Sequence, residues 1–539
     1  MSYALFWIET LVVTLLWAGT GIAIAARVRR SLGYGLLAFV IVWPPLLILG
    51  SLSFAAGLMK VAHINPSRFG YCLSLTIVCF IGICVLLHLA SRRLPEALPR
   101  SASAWPVGRL ALALLVAAGV WAMTLWNMDL AVRTQMLALR AEAGASMLSV
   151  APPVVNDAQN AALVYEQAFR RIDADKSLNS RDATSSPQWQ DKPDFADPAV
   201  SQLLSRHAET LALLKRAAEL PDCHFDHDFA RPWISIVLPE LQWLRISANL
   251  LQFHARQQLS QGQIDAAIDD VDAMLRISEH TGRDPFLLNA LVSIGIEAMA
   301  IHTLEEELLP AISTPQQVLK LKLGNSERMA RMLRRAMTTE EAFGMATFCD
   351  LVEGRITLEL LVGNTPGDFL SPQCRRLLFR VFLLGDDVLA YRQAMSQNRQ
   401  LALKPYYEVH ELLSRQQTER VGNRERGILT AVLMPAITPI FHSVAGEQAR
   451  LEGARIGLAI ARYRMEHGQL PARLEDLCPA YLNEIPTDPF DGQPMRLKIE
   501  GEQAVVYSVG PDQKDDGGVK SESRGRPGDI SFQVKKRKA

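Results

Sequence analysis

The chain is strongly apolar in its first quarter, whereas charged residues recur at short intervals in the remainder. Four apolar stretches in the first quarter are long enough, at about 1.5 Å per helical residue, to cross a hydrocarbon layer about 30 Å thick. They run approximately over residues 3–26, 32–59, 71–90 and 108–126. This pattern predicts a four-span transmembrane bundle over residues 1–129, with the lipid bilayer as a partner.

Arginines in the connections between these stretches predict the orientation of the chain. They are concentrated in the first and third connections, at Arg27, Arg29, Arg30, Arg92, Arg93, Arg100 and Arg109. The second connection carries only Lys60 and Arg68. Because loops rich in lysine and arginine stay in the cytoplasm, both chain termini are expected on the opposite side of the membrane. The large part after residue 129 is therefore predicted to be extracytoplasmic.

Apolar residues recur at helical spacing through residues 130–430. Three helices are predicted from Leu238 to Gly262, from Ile264 to Gly282, and from Leu287 towards Leu308. Their succession is similar to a stack of tetratricopeptide hairpins, but the repeat period of that family is not sustained. We expect an extracytoplasmic α-helical bundle or short solenoid.

The pattern changes in residues 444–534, where a long helix (Val444–His467) is followed by alternating apolar segments. Strands are predicted over 495–499, 504–509 and 529–534, with an acidic, glycine-rich loop at 510–518. These elements indicate a small C-terminal α+β module with an antiparallel sheet, followed by a basic tail at 535–539. The predicted fold class of the whole chain is mainly α.

Composition excludes a nucleic-acid-binding protein and leaves the pairing of the cysteines open. Lys+Arg and Asp+Glu each total 56, so the net charge is zero, and a nucleic-acid-binding protein would show a basic excess. No CxxC motif is present among the 7 cysteines. In an oxidising compartment Cys223, Cys349, Cys374 and Cys478 could form disulfides, and the spacing does not choose among three pairings.

The helical part holds two candidate chemical clusters. Cys223–Asp228 (CHFDHD) places two imidazoles and two carboxylates close together, and in an extended segment His224, Asp226 and Asp228 would share one side. The alternative is a solvated loop, since no distant ligand is identifiable. Glu340 and Glu341 could serve acid–base chemistry, although a charged helix face explains them more simply. No nucleophile elbow, HExxH or Walker loop is present.

Four short motifs in the C-terminal module occur in a recognisable order. They are Gly468–Pro471 (GQLP), Ile485–Gly492 (IPTDPFDG), Tyr507–Asp512 (YSVGPD) and Gly528–Ile530 (GDI). The module resembles the globular domain of the type II secretion major pseudopilin. The chain as a whole resembles uncharacterised bacterial envelope proteins, which implies a multi-pass location in the bacterial inner (cytoplasmic) membrane with a periplasmic C-terminal domain.

The resemblance implies a calcium site in the glycine-rich loop. The family's ligand positions correspond to Asp512 and Asp529, and Asp515 and Asp516 could add oxygens to the coordination sphere of Ca²⁺. A pseudopilin begins with a basic leader and one polymerising helix. Four spans are expected here instead, so the pilus-assembly role is not expected to transfer.

Two functional hypotheses result. The first is a non-enzymatic envelope scaffold or interaction protein with a calcium-stabilised C-terminal module, whose partners are envelope or secretion-system proteins. The alternative is a membrane-tethered hydrolase with its site in the helical domain, built from residues such as His224, Asp226 and Glu340. A transporter is disfavoured, because charged residues are not found deep in the predicted spans. The pattern leaves the oligomeric state open.

Overall fold

A computed structural model provides the structure of the protein. It describes residues 155–175, 198–228, 236–362, 384–422, 428–434, 437–519 and 528–535, with a few single positions between 130 and 178. The four predicted spans, Cys374 and most of the basic tail lie outside the described residues.

The chain divides into two compact units. The smaller comprises Met1–Arg140, Phe348–Tyr391 and Asn423–Leu433, and the larger unit comprises Ala141–Thr347, Arg392–Gly422 and Met434–Ala539. The predicted helical domain at 130–430 is therefore shared between the units, and the C-terminal module belongs to the larger one.

Helices make up most of the described structure, as predicted. They are α1 (Ala161–Ala174), α2 (Pro198–Arg206), α3 (Ala208–Glu219), α4 (Glu240–Ser260), α5 (Ile264–Thr281), α6 (Leu287–Thr303), α7 (Pro315–Lys320), α8 (Ser326–Glu353), α9 (Leu358–Val362), α10 (Leu384–Leu401), α11 (Tyr406–Gly422), α12 (Ile428–Leu433) and α13 (Ile437–His467). A short π-helical turn, Leu304–Leu308, extends α6.

Helices α4, α5 and α6 pack in succession, each against the next, and confirm the three helices predicted from the apolar spacing. Gly262 ends the α4 turn with a φ of 74°, a left-handed conformation that glycine adopts without steric cost. Helix α5 then buries Ile268, Val271 and Leu275, which recur at helical spacing. The turn after α5 contains Asp284 and leads into α6.

The sheet is three-stranded and antiparallel in the order β1 (Arg496–Glu500), β2 (Gln503–Ser508) and β3 (Ile530–Val534). Leu497 pairs with Val506, and Val506 in turn pairs with Phe532. The central strand β2 is almost wholly buried, whereas β1 is largely exposed. The predicted helix-plus-antiparallel-sheet arrangement is confirmed.

Helix α13 joins the sheet to the helices, because it packs against β2 and β3 and also against α6. Its glycines allow close approach of β3: a Cβ added at Gly457 would lie 2.3 Å from a ring carbon of Phe532. The residues buried against one another include Leu251, Ile268 and Phe532, so helices and sheet share one hydrophobic core. This shared core explains why the C-terminal module is not a separate compact unit.

Two helices in the described part are long and apolar enough to cross a membrane, Leu287–Leu308 and Leu429–His467. In the most apolar 18-residue window of each helix, 61% and 53%, respectively, are buried inside the protein. A core helix has the same length and composition, and α6 indeed contributes Ile296 and Ile301 to the core.

Candidate metal centre

The segment Pro221–Asp228, which contains the predicted CHFDHD cluster, is held against the start of α1. The side chain of Asn160 caps α1 by accepting a hydrogen bond from the Ala162 amide at 3.1 Å. The same side chain accepts from the His224 amide at 2.9 Å and donates to the His224 carbonyl at 3.0 Å. Arg283 also binds Asp222 at 2.9 Å. The backbone that carries the two histidines is therefore positioned from both sides.

Three side chains converge beside this segment. The Nε2 atom of His227 lies 3.5 Å from Oε1 of Glu240 and 3.8 Å from Oδ2 of Asp284. All three potential ligand atoms lie within 4.8 Å of one another. Glu240 is the first residue of α4, and Asp284 lies in the turn between α5 and α6. The cluster therefore assembles from a loop and two helix ends.

The three side chains are buried, with 5% of His227, 6% of Glu240 and 2% of Asp284 exposed. Oε1 of Glu240 and Oδ1 of Asp284 have no hydrogen-bond partner among the described residues. A buried carboxylate oxygen without a partner is costly, since it has lost its hydration and gained no hydrogen bond. A cation bound between these atoms would remove this cost.

The electrostatics of the cluster agree with this interpretation. Burial opposes protonation of His227, but the nearby carboxylates of Asp284, Glu240 and Asp226 raise its pKa above the ordinary value. Burial also raises the pKa of Glu240. The surroundings of His227 thus favour a positive charge at its imidazole, which a proton or a metal ion can supply.

Ligand spacing and ligand type favour a divalent metal ion such as Zn²⁺ or Mn²⁺. Metal–ligand bonds of about 2.1 Å in tetrahedral geometry place neighbouring ligand atoms about 3.4 Å apart, close to the separations around His227. One imidazole and two carboxylates suit Zn²⁺ or Mn²⁺. Three protein ligands leave at least one coordination position for water or substrate, which is the usual arrangement of catalytic metal sites.

A cavity of about 390 Å³ opens beside the cluster, and His227 and Glu240 form part of its wall. Three aromatic side chains line it: Phe169, Phe225 and Trp243. Its other charged lining residues are Glu166, Arg170, Asp173 and Asp226. The cavity therefore combines apolar walls with an excess of acidic groups, next to the potential ligands.

The structure separates the residues of the predicted CHFDHD cluster. His224 lies near Asp284, with 3.9 Å between Nδ1 and Oδ1, whereas Asp226 and Asp228 are exposed. The candidate set of His224, Asp226 and Asp228 does not form a ligand cluster among the described residues, because the loop turns His227 inward. Glu240 and Asp284 were not identified from the sequence, where a lone acid at a helix end carries no distinguishing signal.

Glu340, which the alternative hydrolase hypothesis includes, has a different environment. Burial raises its pKa to about 7, and it accepts a hydrogen bond from the backbone of Leu287 at the start of α6. Its neighbour Glu341 forms an ion pair of 2.8 Å with Arg399. Neither belongs to the His227 cluster. Another histidine, His254, donates to Asp270 at 2.6 Å within the α4–α5 hairpin.

Three of the predicted calcium ligands lie in the glycine-rich loop, and the fourth, Asp529, lies beside it. Asp529 is buried, and its two oxygens accept hydrogen bonds from the amides of Gly518 at 2.6 Å and Asp516 at 3.3 Å. Burial raises the pKa of Asp529 despite these bonds. Asp512 accepts from the amide of Lys514 at 3.2 Å.

Two further loop acids, Asp515 and Asp516, are exposed, and Asp515 accepts from the Gly517 amide at 3.0 Å and lies 3.4 Å from Arg496. Within the described residues, the loop aspartates do not bring three carboxylate oxygens as close together as the ligand atoms of the His227 cluster. Calcium at this loop stays a prediction, and it would require main-chain carbonyls as additional ligands.

Three of the four cysteines that could form disulfides lie in the described residues. Cys223 carries a buried free thiol and Cys478 a half-buried free thiol, and Cys349 is buried. Burial is the main cause that raises the pKa of the Cys223 thiol, so its reactive thiolate form is disfavoured next to the acidic cluster.

Comparison with known proteins finds no matching family model, no matching curated protein and no matching solved structure.

Proposed function

We propose that the larger unit is a metal-dependent hydrolase, tethered to the membrane by the spans predicted over residues 1–129. The observation that carries this proposal is the convergence of His227, Glu240 and Asp284, of which His227 and Glu240 line an open cavity. Hydrolysis is the reaction that such a centre performs without a further cofactor. A divalent ion with an open position lowers the pKa of bound water to about 7 and polarises a carbonyl.

The lining of the cavity suggests the class of substrate. Acidic residues outnumber basic ones around it, which disfavours polyanions such as nucleotides. The rings of Phe169, Phe225 and Trp243 favour an apolar group beside the scissile bond. We therefore propose an amide or ester substrate, in which water adds across the acyl C–N or C–O bond to release an acid and an amine or alcohol.

Metal binding tests the first half of the proposal. The full-length protein, purified in detergent without a histidine tag, would be stripped with chelator and titrated with Zn²⁺ or Mn²⁺ by calorimetry. Glu240→Gln and His227→Gln should each weaken binding more than tenfold, because each removes a ligand. The matched control is His302→Gln, at an exposed histidine outside the cluster. Equal affinity in all four proteins would contradict the proposal.

Activity tests the second half. Chromogenic esters and amides with aromatic or aliphatic acyl groups should be hydrolysed by the metal-loaded protein and not after chelation. Activity should return when the metal is restored, except in Glu240→Gln. Binding without metal-dependent turnover of any ester or amide would leave a structural metal site and eliminate the hydrolase.

A second function is favoured by the C-terminal module. We propose that it is a calcium-stabilised interaction module, through which the protein acts as an envelope scaffold linked to secretion machinery. Its support is the packing of the glycine-rich loop: Gly510 lies so close to the Gly528 carbonyl that an added Cβ would be 2.2 Å from its oxygen. This packing brings the loop next to Asp529. Co-purification of secretion-system proteins with calcium, and not with chelator, tests it.

A further inference from the structure

A gap between two buried polar atoms lies next to the proposed metal centre. Nδ1 of His224 and Oδ1 of Asp284 face each other at 3.9 Å. Neither atom has a hydrogen-bond partner in the described part of the chain. The separation is too long for a hydrogen bond between them. Two atoms that each bind the same cation at about 2.1 Å are this far apart when the ligand–metal–ligand angle is wide.

Asp284 places its two oxygens towards two different imidazoles. Oδ2 faces Nε2 of His227 at 3.8 Å, whereas Oδ1 faces His224. A carboxylate in this position can bind one cation through each oxygen. In two-metal hydrolytic sites the ions lie about 3.5–4 Å apart, a distance that a bridging carboxylate spans.

His224 is held in place independently of His227. Its amide and carbonyl are both bound by the side chain of Asn160, at 2.9 and 3.0 Å. A ligand whose backbone is held in this way loses little conformational entropy on binding a cation. Asn160 is accordingly a positioning residue for His224.

We infer that a second divalent cation binds between His224 and Asp284, so that the centre is dinuclear with Asp284 as the bridging ligand. This inference rests on the proposed function, because the first cation is the one held by His227, Glu240 and Asp284. Water molecules would complete the coordination of this second cation, as is usual for cations with few protein ligands. A second ion gives the centre a further positive charge with which to stabilise an oxyanion formed from the substrate.

The number of metal ions bound per chain distinguishes the second cation site from the single site of the proposed function. The full-length protein carrying Asp512→Ala, which removes a predicted calcium ligand, would be equilibrated with Mn²⁺ and analysed by elemental mass spectrometry. The expected content is two ions per chain, falling to one in His224→Gln and remaining two in His302→Gln. Asp284→Asn should lose most of both ions. Melting curves followed by circular dichroism would verify that each variant is folded.

Electron paramagnetic resonance of the Mn²⁺-loaded protein gives a readout that needs no substitution at the centre. Two bridged Mn²⁺ ions produce an exchange-coupled spectrum, whereas an isolated ion produces a simple six-line spectrum. One ion per chain with a six-line spectrum would overturn the second site and leave the hydrolase proposal standing. Absence of any bound ion would overturn both. Two ions that persist in His224→Gln would place the second ion elsewhere and overturn the inference.

Discussion

The hydroxyl of Ser508 donates a hydrogen bond of 2.7 Å to Oδ1 of Asp488, and this bond joins two of the motifs that mark the C-terminal module. Asp488 is fully buried in the IPTDPFDG motif, and Ser508 ends strand β2. The same carboxylate accepts from the Val509 amide at 2.9 Å and lies 3.1 Å from Arg496. One aspartate thus joins the loop before the sheet to its central strand.

Substitution of Asp488 should destabilise the module markedly. Asp488→Ala leaves the buried Ser508 hydroxyl and Val509 amide without their acceptor, and we expect a loss of about 2–4 kcal/mol. Asp491→Ala is the matched control, since Asp491 also pairs with Arg496 but is partly exposed. It should cost less than about 1 kcal/mol. Thermal unfolding followed by circular dichroism measures both, and equal losses would contradict the role of Asp488.

Two helical glycines should respond oppositely to alanine. Gly457→Ala in α13 places a methyl group 2.3 Å from the ring of Phe532, which is 2% exposed, so we expect a loss of about 1–3 kcal/mol. Gly295→Ala in α6 meets no atom within 4 Å and should stabilise the helix by up to about 1 kcal/mol. Denaturant unfolding of the two variants tests the pair. A stabilised Gly457→Ala would show that β3 does not pack on α13 as described.

His280 should make the larger unit sensitive to mild acid. Burial, followed by the charge of Arg283, lowers its pKa to about 4, and its ring is hydrogen-bonded to the Tyr165 hydroxyl at 2.9 Å. The unfolded chain, with an ordinary pKa of about 6.5, binds a proton that the folded chain excludes. The stability that depends on neutral His280 is therefore complete above pH 6.5 and is lost as pH falls towards 4.

The size of this effect is about 3 kcal/mol at most, from the difference between the two pKa values. Melting temperatures between pH 7 and pH 4 should fall more steeply for the wild type than for His280→Gln. His302→Gln, at an exposed histidine, should retain the wild-type slope. If the His280→Gln slope is the same as that of the wild type, the neutral state of His280 is not a determinant of acid stability.

Calcium should stabilise the C-terminal module through Asp512. Asp529 accepts two backbone amides, so its loss destabilises the loop even without calcium. Among the described residues Asp512 accepts a single hydrogen bond, from the Lys514 amide at 3.2 Å, so Asp512→Ala separates metal binding from folding more cleanly. Calcium at 100 times its dissociation constant should stabilise the wild type by about 2.7 kcal/mol. That increment should disappear in Asp512→Ala, and an unchanged calcium response would remove Asp512 from the ligand set.

Periodicity in the sequence was sufficient to determine the local elements. The apolar spacing of α4, α5 and α6 and the alternation in β2 reflect a local rule, namely which side of a helix or strand faces the core. Gly262 also marked its helix end correctly, because a positive φ at a C-terminal turn favours glycine whatever surrounds it. The order of motifs in the C-terminal module likewise indicated a helix and an antiparallel sheet.

Tertiary packing alone decided which side chains form the candidate metal centre. His227 meets Glu240 and Asp284 only because α4 and the α5–α6 turn pack beside a loop that Asn160 holds. No spacing along the chain encodes a meeting of helix ends, so His224, Asp226 and Glu340 stood out while the two converging acids did not. The shared core of α13 and the sheet arose in the same way, from contacts between segments distant in sequence.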